Sequence, residues 1–202
     1  RENAFVKQLR ALQGSARERK KNGIFLLEGL RICNDAMENG VELETLVVSD
    51  GAAGKYADNI SLLSDCAERK ISVPDELFKY IGDTESPQGI IATAKIPMQN
   101  SAPETNGKYL GLEMISDPSN LGAAARTAEA LGVSGIVLSG GCDPYAPKSL
   151  RASMGTLLRL PLFITDDIIR FARSNGLKTV ACVARRDAAL ITDIEFSGGE
   201  LL

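Results

Sequence analysis

The stretch from 109 to 138 limits what this chain can fold into more than any other. Tyr109-Leu110-Gly111-Leu112-Glu113-Met114-Ile115 is an apolar run, and Asp117-Pro118-Ser119-Asn120 follows it as a polar turn. Leu121 to Leu131 is Ala-rich and helix-prone, Gly132 stops it, and Gly135-Ile136-Val137-Leu138 is a second apolar run. Strand, turn, helix and strand in that order belong to a parallel βαβ unit. Open α/β sheets bind ligands at the carboxyl edge of their strands, which is where the polar turn lies.

The rest of the chain divides around this unit. Residues 1–97 read as a small α/β unit of three or four strands. Its elements are a helix over 3–12, a strand at 24–27, a helix stopped by Asn39-Gly40, and a strand at 43–48. Asp50-Gly51 reads as a turn, 54–58 and 64–70 as helices, Pro74 as a helix start and 88–96 as a strand. Residues 98–107 lose all periodicity and are rich in turn formers, which marks them as a linker. Beyond it, in residues 108–202, strands near 109–115, 135–138, 161–164 and 178–183 alternate with helices near 120–131, 147–155 and 166–174. That alternation predicts a parallel sheet with helices on both faces.

Composition matters chiefly for what it removes. The chain has no histidine, so Ser-His-Asp and Cys-His nucleophile systems and His-ligated metal sites are excluded. Its four cysteines, Cys33, Cys66, Cys142 and Cys182, form no C-x-x-C pair, which suits a reducing cytosol and leaves no metal site to expect. No apolar run approaches the roughly 20 residues that span a bilayer, and the first residues do not resemble a signal peptide. Neither G-x-G-x-x-G nor G-x-x-x-x-G-K-S/T occurs, so nicotinamide and nucleoside-triphosphate chemistry lose support. Net charge is −3, yet residues 1–31 hold eight Lys or Arg against three acids. Arg17, Arg19, Lys20 and Lys21 concentrate that excess, as a phosphate-facing patch or as a solvated helix face.

Within the second unit, Asn120 and Gly122 start a helix and Arg126 lies one turn beyond Gly122. Gly122 would let a ligand approach the backbone, and the first helical N–H groups favour an anion. The same residues also describe a well-capped Ala-rich helix with a solvated Arg. Gly140-Gly141 after the second strand makes room for a ligand or is a plain turn. Lys148 and Arg151, three apart in a helix, form a second weak candidate for a phosphate contact.

Together these residues carry a resemblance. Asp-Pro-Ser-Asn-Leu-Gly-Ala-Ala-Ala-Arg-Thr-Ala-Glu-Ala-Leu-Gly at 117–132 resembles the first motif of the SpoU-type (TrmH-like) RNA 2′-O-ribose methyltransferases of the SPOUT superfamily. Arg-Ala-Ser-Met-Gly-Thr at 151–156 is similar to the segment that follows in that family. Phe25 to Arg31 and Ser86 to Ile91 are similar to its substrate-binding module. The resemblance implies a small RNA-binding α/β domain ahead of a Rossmann-like, parallel-sheet methyltransferase domain knotted as a trefoil. It also implies two further motifs, a Gly-Asn-Glu-Gly-like turn and a Ser-Leu-Asn-Val-like closing segment. Gly199-Glu200-Leu201-Leu202 is similar to the start of the strand leading to them, so the chain is read as truncated at its carboxyl end, with much of the donor pocket and the knot missing.

The implied reaction is methyl transfer from S-adenosylmethionine to a ribose 2′-hydroxyl, with ribosomal RNA favoured over transfer RNA. Asn120 and Arg126 are the implied catalytic pair. An arginine is a poor resting base, so Arg126 fits a bidentate phosphate clamp better than a proton acceptor. Cys182, Val183 and Ala184 are the implied donor contacts. Arg151 and Ser153 join Arg17, Arg19, Lys20 and Lys21 as RNA contacts, and a homodimer through the second unit is implied. A non-catalytic RNA-binding protein, a tRNA-directed ribose methyltransferase and a small-molecule transferase of Rossmann type are the competing readings.

Overall fold

The structure is a computed structural model that describes residues 3–98 and 102–202. Expected linker residues 99–101 lie outside the described residues.

The first unit opens with α1 (Ala4–Gly14), capped by the Asn3 side chain and burying Val6, Leu9 and Leu12 on one face. Ser15 caps α2 (Ala16–Asn22), which ends at left-handed Gly23. There follow β1 (Ile24–Glu28), α3 (Leu30–Glu38), β2 (Leu43–Ser49), α4 (Asp50–Lys55), α5 (Ala57–Cys66), β3 (Ala67–Val73), α6 (Asp75–Ile81) and β4 (Ile90–Lys95). The strands form one mixed sheet in the order β1-β4-β2-β3, with β4 antiparallel to both neighbours and β3 parallel to β2. Helices of six to eleven residues are too short to persist alone. Burial holds them: Phe25, Leu27, Leu46 and Ile90 are fully enclosed, each contributing about 1.5–3 kcal/mol.

The two departures here have physical causes. The expected helix over 64–70 is divided between the end of α5 and strand β3. Glu68, Arg69 and Lys70 read as a helical surface, but charged residues equally protect the exposed edge strand of a sheet. Asp50-Gly51 is not a turn but the first turn of α4, because Ser49 caps that helix by accepting from the Ala52 N–H at 3.3 Å.

The second unit runs β5 (Lys108–Glu113), α7 (Pro118–Ala130), β6 (Gly135–Ser139), α8 (Pro147–Ala152), α9 (Thr156–Arg159), β7 (Leu162–Ile164), α10 (Ile168–Ser174) and β8 (Lys178–Thr179). A single 3-10 turn (Ile191–Asp193) and β9 (Glu200–Leu201) complete it. The sheet is parallel throughout, in the order β7-β6-β5-β9-β8. The expected order of elements from 109 to 138 is therefore present, with β5 and β6 side by side. The expected helix 147–155 is interrupted at Met154 and Gly155, which both take positive φ (50° and 85°). The expected strand 178–183 stops at Thr179, and 180–190 is irregular.

One buried apolar cluster joins the units. Phe25, Leu27, Cys33 and Ala36 of the first pack with Leu121, Ala125, Tyr145, Leu150 and Leu157 of the second. Phe25 and Tyr145 meet ring to ring at 5.1 Å. Burial pushes the Cys33 thiol and the Tyr145 phenol each up to about 12, so both are neutral packing groups at ordinary pH.

Candidate functional site

Asp117 caps α7 by accepting from the Ser119 N–H at 2.8 Å, with Pro118 as the first helical residue. Leu121, Gly122, Ala125 and Ala128 face inward, and Asn120 and Arg126 are exposed. Neither Asn120 nor Arg126 has a hydrogen-bond or ion-pair partner among the described residues.

Gly122 serves a different purpose from the one its sequence position suggested. A Cβ there would overlap the backbone of Ala152 and Ser153, so the group that approaches closely is helix α8, not a ligand. Gly141 behaves alike: a Cβ would overlap the Ile115 carbonyl, and the Cys142 N–H donates to that carbonyl at 2.7 Å. The Gly-Gly turn thus locks the loops after β5 and β6 together. Both glycines fix the carboxyl edge of the sheet on which Asn120 stands.

The basic residues separate into two groups. Arg17, Lys20 and Lys21 are exposed on α2 and have no ion pair among the described residues. Arg19 does not belong with them. It is 3% exposed, donates to Asp143 at 2.7 Å and to the carbonyls of Leu12 and Gln13, and so joins the end of α1 to the loop after β6. It is a cation at a helix carboxyl end and is not available to RNA, contrary to the expectation. The charge run Arg17-Glu18-Arg19-Lys20-Lys21 concealed this.

Arg151 is partly exposed and donates to Asp83 at 2.8 Å, with Glu28 at 4.0 Å. Ser153 is fully buried, and its hydroxyl donates to the Leu150 carbonyl at 3.0 Å. Its expected RNA contact is therefore corrected to a helix-end bond. Lys148 is exposed.

Sequence reasoning missed the strongest polar cluster. Arg159 donates to both Asp35 oxygens at 2.7 and 2.6 Å and to both Glu129 oxygens at 2.6 and 2.8 Å. The Arg159 hydrogen bond holds the Glu129 carboxyl below its usual range, while the acids raise the Arg159 guanidinium. Gly155 has no room for a side chain because a Cβ would overlap the Asp35 carboxylate. The first unit is thus tied to α7, the helix that carries Arg126.

Cys182, Val183 and Ala184 are all exposed, Val183 at 53%, on the irregular segment after β8. All three stand open to solvent and form no enclosure. That surface does not by itself fit an adenosyl group, and no donor contact follows from it. Among the described residues no group of three or more Cys, Asp or Glu is placed to hold a metal ion, and no helix is long and apolar enough to cross a membrane.

Residues 3–92 match the family model of the MRM3-like substrate binding domain, and residues 107–202 match that of the SpoU rRNA Methylase family. An uncharacterized tRNA/rRNA methyltransferase of Synechocystis is 31% identical over 94% of this chain and 70% of its own length. The 23S rRNA (uridine(2479)-2′-O)-methyltransferase of Streptomyces viridochromogenes is 31% identical over 79% of this chain, and the match spans 57% of that protein. Among solved structures, an AdoMet-bound rRNA methyltransferase from Sinorhizobium meliloti superposes with a TM-score of 0.78 at 27% identity, over 98% of this chain and 76% of that one.

Proposed function

Because this chain belongs to the SpoU rRNA methylase family, we propose that its protein methylates a ribose 2′-hydroxyl of RNA, with ribosomal RNA as the substrate class. The observation that carries the reading is the exposed, unpaired guanidinium of Arg126 on a helix fixed from three sides. Gly122 against α8, Asp117 at the cap and Glu129 on Arg159 leave that helix little freedom. A preset cation at a fixed place stabilises developing negative charge without rearrangement.

S-adenosylmethionine, the donor, supplies a methyl group already activated as a sulfonium. The protein's part is to hold the ribose and to assist loss of its hydroxyl proton. Arg126 clamps a phosphate oxygen beside the target ribose and stabilises the forming 2′-alkoxide, and Asn120 orients the sugar by hydrogen bonds. A guanidinium is a poor resting base, so loss of the proton is partly assisted by a phosphate oxygen of the substrate. Arg17, Lys20 and Lys21 engage the RNA backbone at a distance from the reacting atoms.

The test is methyl transfer to ribosomal RNA by the full-length protein and its Arg126→Ala variant. A loss of about 10²–10³-fold is expected, the range for removing one preset electrostatic stabiliser. Equal rates would remove Arg126 from the mechanism, and methylation of transfer RNA alone would overturn the substrate class.

The second unit is proposed to pair with a second copy. An apolar groove of about 560 Å³ runs between α7 and β5, lined by Leu110, Ala123, Thr127 and Phe196, with Leu131 77% exposed at its rim. Light scattering should give a dimer that Leu131→Asp weakens. The free cysteines, exposed at Cys66 and Cys182, support a reducing compartment, and the cytosol is proposed.

A further inference from the structure

The ion pairs that cross the seam among the described residues end in different places. Arg19 meets Asp143 on the loop after β6, and Arg151 joins α8 to Glu28 and Asp83. Arg159, the last residue of α9, reaches further. Its Nη1 donates to both oxygens of Asp35 on α3, at 2.7 and 2.6 Å. Its Nε and Nη2 donate to the two oxygens of Glu129 on α7, at 2.6 and 2.8 Å. The Thr156 hydroxyl adds a bond to Glu129 at 2.7 Å. One planar group thus spans from the first unit to the helix that carries Asn120 and Arg126. Glu129 stands three residues from Arg126, so the two side chains leave neighbouring parts of that helix.

The chain between α8 and α9 is shaped to admit Asp35. Met154 and Gly155 take φ 50° and 85°, a region that residues with side chains rarely adopt. A Cβ on Gly155 would lie 1.6 Å from Asp35 Oδ2 and 2.9 Å from Arg159 Nη1, so a glycine there leaves room for both groups. Backbone of this kind persists only where its surroundings over-determine it. Here those surroundings include a carboxylate of the other unit, and the break between the helices is a socket for it. Two carboxylates on two sides fix the direction of the guanidinium as well as its place. A lysine ammonium, a point charge without a fork, could not do the same.

We propose that Arg159 is a positioning residue for methyl transfer: held by Asp35, it sets α7, and with it Arg126, relative to the first unit. This rests on the RNA reading given above and says how its two halves are kept in register. RNA gripped by Arg17, Lys20 and Lys21 on α2 presents its ribose to Arg126 only if the span between the two helices is fixed. A misplacement of about 1 Å, caused far from the reacting atoms, can lower a rate by about 10²-fold.

The test is methyl transfer to ribosomal RNA by the full-length protein, with kcat and KM for the RNA measured well below the melting temperature of every variant. Arg159→Lys and the isosteric Asp35→Asn are each made in wild type and in Arg126→Ala. In wild type, Arg159→Lys is expected to lower kcat by about 10–10²-fold and Asp35→Asn by less, with KM near its original value. In Arg126→Ala neither should lower kcat further, because the group they position is gone. A role confined to the fold predicts losses that multiply in the double variants. That result overturns the proposal, as does wild-type kcat in both single variants or a change confined to KM. Where Arg159→Lys does not fold, Asp35→Asn decides by the same comparison. If wild type methylates no ribosomal RNA, or if Arg126→Ala is fully active, the underlying reading falls and this role falls with it.

Discussion

The seam between the two units and the outer faces of α2 and α7 use the same residue type in opposite ways. In the seam, Arg19, Arg151 and Arg159 each meet a carboxylate of the other unit at 2.6–2.8 Å. On the outer faces, Arg17 and Arg126 are exposed with no acid against them among the described residues. A guanidinium engaged by a carboxylate holds the molecule together, and one without a protein partner is available to a phosphate. Position relative to the buried faces decides between these roles, and local charge density does not.

The contrast can be broken most sharply at Arg19. Arg19→Ala leaves Asp143 and the carbonyls at the end of α1 without their donor in a buried place, and should cost about 3–5 kcal/mol in urea unfolding. A loss below about 1 kcal/mol, ordinary for an exposed pair, would mean that the seam is no different from the surface.

Gly155→Ala comes next. It places a methyl on the Asp35 carboxylate at a backbone angle suited to glycine, and should cost about 1–3 kcal/mol by strain alone, more if Arg159 loses its partner. A melting temperature equal to wild type would count against the tight Asp35–Gly155 approach.

Glu129 gives a smaller, pH-dependent effect. Its carboxyl is held below the usual range by Arg159, so the folded state binds that proton less readily than the unfolded chain does. The resulting stability is present above the ordinary glutamate pKa and disappears as pH falls through the lower folded value. Glu129→Gln should therefore lose stability at neutral pH but little in acid, flattening stability against pH below about 4.5. Parallel curves for the two proteins would contradict the assignment.

The outer faces should show the least effect on folding. Arg126→Ala and Lys20→Ala are expected to change stability by no more than about 0.5 kcal/mol. Replacing Arg17, Lys20 and Lys21 together should make RNA binding less sensitive to salt. The slope of log affinity against log salt should become shallower by about 0.7 for each phosphate these side chains engage. An unchanged slope would remove α2 from the RNA surface.

The sequence was legible wherever local pattern and global position agree. The order from β5 to β6, the Asn39-Gly40 helix stop and the buried run Ile24 to Leu27 all follow from periodicity and turn chemistry. Strand β3 did not, because a charged edge strand and a solvated helix have the same composition. At the candidate site, Asn120 and Arg126 are exposed, as both the catalytic reading and that of a capped helix with a solvated arginine expect. Gly122 and Arg19 were misread for a common reason: each answers to a group outside its own local pattern. Asp143 is 124 residues from Arg19, as Arg159 is from Asp35. No window of local sequence reports such a pairing.

The apolar cluster that joins the units bears on how the protein is made. Synthesis proceeds from the amino end, so Phe25, Leu27 and Cys33 leave the ribosome well before Tyr145, Leu150 and Leu157 exist to cover them. Until α8 and α9 have been translated, the first unit has its strands and its own helices but lacks the part of its cover that Leu150 and Leu157 supply. A pause in translation near residue 100 would lengthen that exposure.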